Sequence, residues 1–317
     1  MTLTRKYGSG VMLRVYLLSL AAIAFWGMSY IWSDALLSQG IPVEYIVFVR
    51  IFIASVFLLV LNLVMRRNIR IRKKDIPLFL LVSLCEPLIY FVCETYGIRL
   101  TDSPTYSSLI IASSPIFSVL VGVLVFREHF SFLNLAGIIV CLCGIVMVTI
   151  SSSTVGKAFW LGVALLLIAV LSEVGNASIT KILADRYEPQ VIVMYQFLFG
   201  SVYLLPLFLG KGLADFDAEI YLSWSVWKPV LCLSILCSGI AFSLWANTIK
   251  FLGVAKSSIF MSTIPVVTAI AGWMLGHEFL STMQWAGIIV STLGVTLSQL
   301  NFRLLSFFKR KRGAARG

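Results

Sequence analysis

The chain has 317 residues, of which 59% are hydrophobic and 12% charged, with a net charge of +11 and a mean hydropathy of +0.96. Soluble globular domains carry roughly 25% charged residues, so this composition excludes an ordinary soluble protein. The stretches between the apolar runs are too short to form a soluble catalytic domain.

Apolar runs of about 20 residues follow one another along the chain, and this length matches the hydrocarbon core of a bilayer. We number them as predicted spans 1 to 10. They cover residues 13–33, 43–64, 76–98, 105–126, 132–150, 159–181, 188–209, 228–250, 255–276 and 283–303. The sequence therefore predicts an all-α polytopic membrane protein with ten transmembrane helices.

The basic residues are distributed unevenly between the two sides of the predicted bundle. With loops assigned alternately, twenty lysines and arginines fall on the side that holds both termini, and four fall on the other. This bias marks the cytoplasmic side, so we predict an inner (plasma) membrane protein with cytoplasmic termini. We expect the bilayer, not nucleic acid, to be the partner of the positive charge, and the basic tail 304–317 to meet anionic headgroups.

One face of span 1 combines aromatic and hydroxyl side chains. Trp26, Ser29, Tyr30 and Ser33 recur at helical spacing. Such a face is either an aromatic belt at the interface or the lining of a cavity. Trp26 lies ~18 Å along the helix from Arg14, close to the bilayer midplane, which favours the cavity.

Four charged residues lie inside the spans: Arg50, Glu86, Glu94 and Glu173. A charge at the centre of a membrane helix costs ~3 kcal/mol, so we expect all four to face the protein interior. Arg50 and Glu94 have similar predicted depths, which predicts an ion pair that could act in gating. Two interpretations of the carboxylates stay open. They bind a cation or a proton, or they form a structural network that fixes helix register.

Other polar residues accompany these charges at helical spacing. Tyr90 lies one turn from both Glu86 and Glu94, so a regular helix would place all three on one face. Asn176 follows Glu173 on span 6, and span 8 carries Asn247. The candidate substrate-cavity residues are therefore Trp26, Tyr30, Tyr90, Glu94, Glu173, Asn176 and Asn247.

Three prolines within spans predict helix breaks, because proline removes a backbone hydrogen bond and kinks a helix. Pro87 follows Glu86 in span 3. Pro115 and Pro265 lie in spans 4 and 9, where we expect flexion points near the midplane.

Signatures of soluble enzymes and of metal sites are missing from the sequence. The six cysteines lie within apolar spans at spacings that match no zinc pattern, and neither a phosphate-binding loop nor a nucleophile elbow occurs. We therefore predict no catalytic residues, no metal and no cofactor. The alternative is an integral-membrane lipid-modifying enzyme, which would need His, Asp or Ser clustered at one membrane face.

The stretch 107–144 occurs twice. Shifted by 150 residues, it matches 257–294 without a gap, and twelve of 38 positions are identical. A shift of this length corresponds to five spans, and because five is odd, the second copy crosses the bilayer in the opposite sense. We predict two inverted five-helix repeats, residues 1–150 and 151–303.

In each copy a glutamate, Glu128 or Glu278, precedes the last helix, where its charge complements the helix dipole.

Several short motifs together resemble a known transporter family. They are Phe25-Trp26-Gly27, Pro42 with Arg50-Ile51-Phe52-x-Ala54, Ser107-Ser108-Leu109 through Pro115, Glu128, Gly137 with Gly144, and in the second copy Pro265, Glu278, Gly287 and Gly294. With these motifs the chain resembles the ten-helix, EamA-type branch of the drug/metabolite transporter superfamily.

The resemblance implies two inverted repeats around a central cavity lined mainly by helices 1, 3, 4, 6, 8 and 9. It also implies alternating access without ATP and export of amino acids or related metabolites. We therefore expect a secondary transporter with a small-molecule substrate, present as a monomer or a homodimer.

Overall fold

The computed structural model describes residues 9–119, 131–151, 156–213, 217–252 and 260–299. All regular secondary structure in these ranges is helical. Seven helical segments are long and apolar enough to cross a membrane. They are Leu13–Leu37, Val43–Val64, Lys73–Thr101, Phe132–Ile150, Lys157–Ala184, Pro189–Gly212 and Trp224–Trp245. The all-α membrane architecture is thus confirmed, while Glu128, the tail 304–317 and parts of predicted spans 4, 9 and 10 lie outside the described residues.

The helices are numbered in chain order. They are α1 Ser9–Leu37, α2 Val43–Val64, α3 Ile76–Ser83, α4 Tyr90–Thr101, α5 Pro104–Ile111, α6 Phe132–Ile150, α7 Lys157–Ala184, α8 Pro189–Leu207, α9 Ala218–Tyr221, α10 Trp224–Leu231, α11 Phe242–Leu252, α12 Ile264–Met274 and α13 Thr282–Ser298. Wider π-helical turns join α3 to α4 (Leu84–Ile89) and α10 to α11 (Cys232–Ala241).

Two helices begin with the same capping arrangement. Before α6, Ser131 N donates to Asn134 Oδ1 (2.8 Å), and the Ser131 side chain accepts a backbone N–H of the first turn. Before α13, Ser281 N donates to Gln284 Oε1 (2.7 Å) and Ser281 Oγ accepts from Gln284 N (3.3 Å). Each box satisfies N–H groups that the helix itself leaves unpaired.

Helices α6 and α13 pack with their backbones in close contact. A Cβ added at Gly137 would lie 2.7 Å from Gly294 O, and one added at Gly294 would lie 2.8 Å from Gly137 O. The same reciprocal contact joins Gly144 and Gly287, at 2.5 and 2.7 Å. The later glycine of α6, Gly144, contacts the earlier glycine of α13, Gly287, so the two helices are antiparallel. Only glycine fits at these four positions, as in close helix pairs in membranes.

The chain turns out of helical geometry just before two of the prolines. Ser113 N and Oγ both bond Ile110 O, at 3.0 and 2.6 Å, two residues before Pro115. Thr263 N and Oγ1 bond Phe260 O in the same way, at 3.1 and 2.7 Å. The helix is therefore interrupted at both places, and each side chain adds a hydrogen bond to the carbonyl at the break.

The remaining helices enclose a core that draws on both halves of the sequence. Helix α1 packs against α12 and the Cys232–Ala241 turn, α2 packs against α8, and α4 packs against α7. Helices α4 and α7 approach closely at Gly97 and Gly162, where an added Cβ would lie 3.2–3.4 Å from the opposite carbonyl oxygen. These contacts bring the polar residues of predicted spans 1, 3 and 6 to the centre of the bundle.

Candidate functional site

Charged residues of the predicted spans lie inside the protein. Arg50, Glu86 and Glu94 are buried, with 3%, 4% and 5% of their surface exposed. Glu173 is partly exposed, but its Oε2 is buried. None of the four side chains is directed mainly into lipid, as the cost of a lipid-facing charge requires.

Glu94 is held by two tyrosines from different helices. On α4, Tyr90 Oη donates to Glu94 Oε1 at 3.0 Å. Tyr30 of α1 is buried, with its phenol beside Glu94 and Tyr90. The structure thus brings together three of the predicted cavity residues where α1 meets α4, and phenol donors stabilise the carboxylate there.

Arg50 takes a different position from the predicted one. Its Nε donates to Ser238 Oγ at 2.8 Å, and its Cζ lies 4.2 Å from the ring centroid of Phe91, a cation–π contact. Within the described residues, no N···O distance within 4.0 Å joins Arg50 to Glu94. The predicted direct ion pair is not formed in this structure, although the two charges are close enough to interact electrostatically.

Glu86 belongs to a separate group that we call the amide cluster: Glu86, Asn176 and Gln196. Asn176 Nδ2 donates to Glu86 Oε2 at 2.5 Å, and Gln196 Nε2 donates to Asn176 Oδ1 at 3.2 Å and to Glu86 Oε2 at 3.5 Å. The cluster joins the Leu84–Ile89 turn to α7 and α8. Two amides thus donate to one carboxyl group, as a buried polar group requires.

The expectation that Glu86, Tyr90 and Glu94 share one helical face was wrong. At Glu86 the backbone is extended, with φ −138° and ψ 123°, just before Pro87. Helical register is lost across this residue, so its side chain points to Asn176 while Tyr90 and Glu94 remain paired one turn apart.

Glu173 lies beside the break in predicted span 4. It accepts a hydrogen bond from Ser114, the residue before Pro115. Its Oε2 has no hydrogen-bond partner among the described residues. Glu173 also interacts electrostatically with Glu94. This glutamate therefore links the centre of the bundle to one of the two proline turns.

The aromatic face of α1 packs against α11. Trp26 Nε1 donates to Cys237 O at 3.2 Å, and its ring makes edge contacts with Phe242 and Trp245 at centroid distances of 5.1 and 5.2 Å. The amide of Asn247 donates to Ser243 O, one turn earlier on α11. Trp26 thus lies within the bundle, in contact with the helix that carries Asn247.

An apolar groove of about 770 Å³ lies between α5, α6 and α7. Tyr106, Ser113 and Thr149 carry the hydroxyl groups of its lining, and the hydroxyls of Tyr106 and Thr149 are 3.0 Å apart. Leu142, Val146 and Ile150 on its rim are more than half exposed. None of the seven predicted cavity residues lines it, so this groove is distinct from the polar centre.

The sequence did not predict two sets of contacts, those of Gln196 and those of Glu278 with the start of α5. Gln196, at the centre of the amide cluster, was not among the candidate residues, although an amide inside an apolar span is a signal for it. Glu278 bonds Ser103 Oγ and accepts from Thr105 N at 3.3 Å. Its carboxylate therefore stabilises the N-terminus of α5, beyond any effect on its own helix.

A model of the EamA-like transporter family matches residues 13–150 and again residues 160–300. Uncharacterized transporter YetK of Bacillus subtilis (strain 168) is 26% identical over 89% of this chain and 87% of its own length. A protein of Streptantibioticus cattleyicolor named "Probable terminal-alkyne amino-acid exporter" is 26% identical over 72% of this chain and 74% of its own.

A solved crystal structure has the same fold. It superimposes with a TM-score of 0.68 at 16% identity, covering 90% of this chain and 98% of that one. An uncharacterized transporter of Archaeoglobus fulgidus is 25% identical over 86% of this chain and 94% of its own length. The similarity therefore extends over nearly the whole molecule.

Proposed function

This chain belongs to the EamA-like transporter family, and we propose that it is a secondary transporter that exports amino acids or related small metabolites. The family match over both halves supports transport. The relative named as an amino-acid exporter supports the direction and the class of substrate. Because the sequence carries no ATP site, transport would be facilitative or coupled to an ion.

The observation that carries the proposal is that Tyr30, Tyr90 and Glu94 lie in contact with one another inside a membrane protein. Buried ionisable groups in membrane segments are costly and usually mark the path of a substrate or an ion. The two oxygens of Glu94 have hydrogen-bond acceptor capacity beyond the bonds from Tyr90 and Tyr30. A substrate with an ammonium or hydroxyl group would find its partner there.

We also propose Trp26, Glu173, Asn176 and Asn247 as cavity residues, of which Glu173 interacts electrostatically with Glu94. We further propose that Arg50 and Glu94 pair directly in another state of the transport cycle, which would make them a gate. Arg50 lies against Phe91, three residues before Glu94 on the same helix, so a side-chain rotation is the kind of change required.

We propose that ten transmembrane helices form two inverted repeats, residues 1–150 and 151–303, followed by a basic cytoplasmic tail. Two separate family matches support this arrangement. The matched capping boxes at Ser131 and Ser281 and the reciprocal glycine contacts of α6 and α13 support it as well. Alternating access would then use the turns before Pro115 and Pro265.

The proposal is tested with purified protein and a panel of amino acids, their derivatives and unrelated metabolites. Compounds that raise the melting temperature are loaded into proteoliposomes, and their flux is compared with that of protein-free liposomes. We expect stabilisation and saturable flux for amino acids or close relatives. Flux at the protein-free rate for every stabilising compound would contradict a transport function.

A further inference from the structure

Residues 66–74, which we call the basic loop, follow α2 and end within a short 3-10 turn, Lys73–Asp75, that directly precedes α3. Six of the nine residues are basic. They are Arg66, Arg67, Arg70, Arg72, Lys73 and Lys74. The first acidic residue after them is Asp75. Such a concentration of one charge repels itself unless counter-charges surround it, so the contacts of the loop decide what it can bind.

The C-terminal end of the basic loop is fixed to the loop between α7 and α8. Asp75 is buried and pairs with Arg186. Tyr187 Oη donates to Asp75 Oδ2 at 2.7 Å and accepts from Arg72 N at 3.0 Å. The Tyr187 phenol therefore connects the backbone of the loop to Asp75, the residue that follows it.

The N-terminal part of the loop is fixed in the same way. Arg67 pairs with Glu188, and Tyr195 Oη donates to Ile69 O at 2.9 Å. Ile69 and Ile71 both pack against the hydrophobic core. The loop therefore has a definite conformation, with alternate residues directed inwards.

The remaining basic side chains point away from the protein. Arg66, Arg70, Arg72, Lys73 and Lys74 are all exposed. None of them forms an ion pair within 4.0 Å in the described part of the chain, and the two ion pairs of this region, Arg67–Glu188 and Arg186–Asp75, use other basic residues. Five unpaired cations therefore share one ordered surface.

This surface borders the lipid-facing end of α2. Leu63, Val64 and Met65 directly precede the loop and are 54%, 74% and 51% exposed. An apolar surface that continues into a cluster of cations has the two parts of a phospholipid site. The acyl chains would lie along α2 and the phosphate would meet the guanidinium and ammonium groups.

We propose that the basic loop is a binding site for the headgroups of anionic phospholipids. A soluble polyanion such as nucleic acid matches the charge of the surface but not its exposed apolar border. The pairs Arg67–Glu188 and Asp75–Arg186 hold the site in shape, and the five exposed cations bind the phosphate. This role is independent of which substrate the protein transports.

The test uses the full-length protein and native mass spectrometry with phosphatidylglycerol or phosphatidylcholine of identical acyl chains. The loop variant combines Arg70→Gln, Arg72→Gln, Lys73→Gln and Lys74→Gln, which spare the pairs that fix the loop. The control variant removes the same charge at exposed lysines elsewhere: Lys157→Gln, Lys181→Gln, Lys211→Gln and Lys228→Gln. Melting temperatures of all three proteins show that the fold is retained.

We expect the wild type and the control to bind phosphatidylglycerol at least ten-fold more tightly than phosphatidylcholine. The loop variant should lose most of that preference. An equal preference in the loop variant would overturn the proposal, and so would a wild type without any preference. Displacement of phosphatidylglycerol by a thymidine 20-mer through the same four residues would instead assign the surface to nucleic acid.

Discussion

Cys141 of α6 and Ser291 of α13 are in contact, with Sγ and Oγ 3.2 Å apart, and the two residues are separated by 150 positions. This is the shift that superimposes the two copies of the repeated stretch. Residues that are equivalent in two copies and also touch must lie close to the axis that relates the copies. The contact therefore supports the proposed inverted repeat from side-chain geometry, independently of sequence identity.

The first prediction uses this contact as a cross-link. In a protein whose other five cysteines are changed to serine, Ser291→Cys should form a disulfide with Cys141 under mild oxidation, because equivalent atoms already touch. After proteolysis between the halves, near residues 152–156, the fragments should stay joined on a non-reducing gel. The matched control keeps Cys143, which is exposed, in place of Cys141, and its fragments should separate. Separation in both proteins would place the axis elsewhere.

The second prediction concerns the glycines of α6 and α13. Gly144→Ala or Gly287→Ala should destabilise the protein by about 1–3 kcal/mol, because the added methyl group meets the carbonyl oxygen of the opposite helix. Thermal unfolding in detergent measures the effect. Gly210→Ala is the control, since its added methyl group would meet no heavy atom within 4 Å apart from those of its own stretch of chain. An unchanged melting temperature in all three variants would show that the helices are not in close contact.

The repeat could be recognised from the sequence because its positions carry backbone requirements. Glycine recurs where α6 and α13 touch, and serine recurs at both helix starts, so the same residue types are needed at equivalent places. The lengths of the helices were harder to predict. Hydropathy alone gives a run such as 255–276, whereas the backbone turns at Thr263 and α12 begins at Ile264.

The polar centre was predicted only in part, for two physical reasons. Helical spacing correctly associates Tyr90 with Glu94, because regular helix joins them. It fails for Glu86, where extended backbone redirects the side chain. Contacts between helices, such as Asn176 with Gln196, depend on packing that a single sequence does not encode locally.

The third prediction concerns topology. Single cysteines placed in 66–74 and in 211–227 of a cysteine-free variant should react from opposite sides of the membrane. An impermeant maleimide added to intact cells should label only the second segment, because the basic segment should remain cytoplasmic. Permeabilised cells provide the control, and both segments should then be labelled. Labelling of 66–74 in intact cells would contradict the proposed orientation.

The fourth prediction concerns the proline turns. Pro115→Ala and Pro265→Ala together should leave an inserted protein with a reduced transport rate, because alanine permits continuous helix and stiffens both turns. Proteoliposome flux is measured beside the melting temperature. Pro206→Ala is the control, since Pro206 lies on an exposed surface of α8 and the chain before it is regular helix without such a turn. Wild-type flux in the double variant would leave the prolines with a packing role.

The fifth prediction distinguishes the roles of Glu94 and Glu86. Glu94→Gln keeps an oxygen that can accept from Tyr90 and removes the charge, so the fold should persist while flux falls at least ten-fold. Glu86→Gln replaces one carboxyl oxygen by an NH2 group and leaves fewer acceptors for Asn176 and Gln196, so it should lower stability by about 1–3 kcal/mol.

Melting temperature and proteoliposome flux are measured for both single variants and for Glu94→Gln combined with Arg50→Gln. If Glu94 served only to balance Arg50, its loss should cost about 3–5 kcal/mol of stability by leaving a buried cation unpaired. The double variant should then recover much of that loss. The structure predicts instead that Glu94→Gln alone keeps its stability, because Arg50 already has Ser238 and the ring of Phe91 as partners. A stable Glu94→Gln protein with wild-type flux would exclude Glu94 from both transport and charge balance.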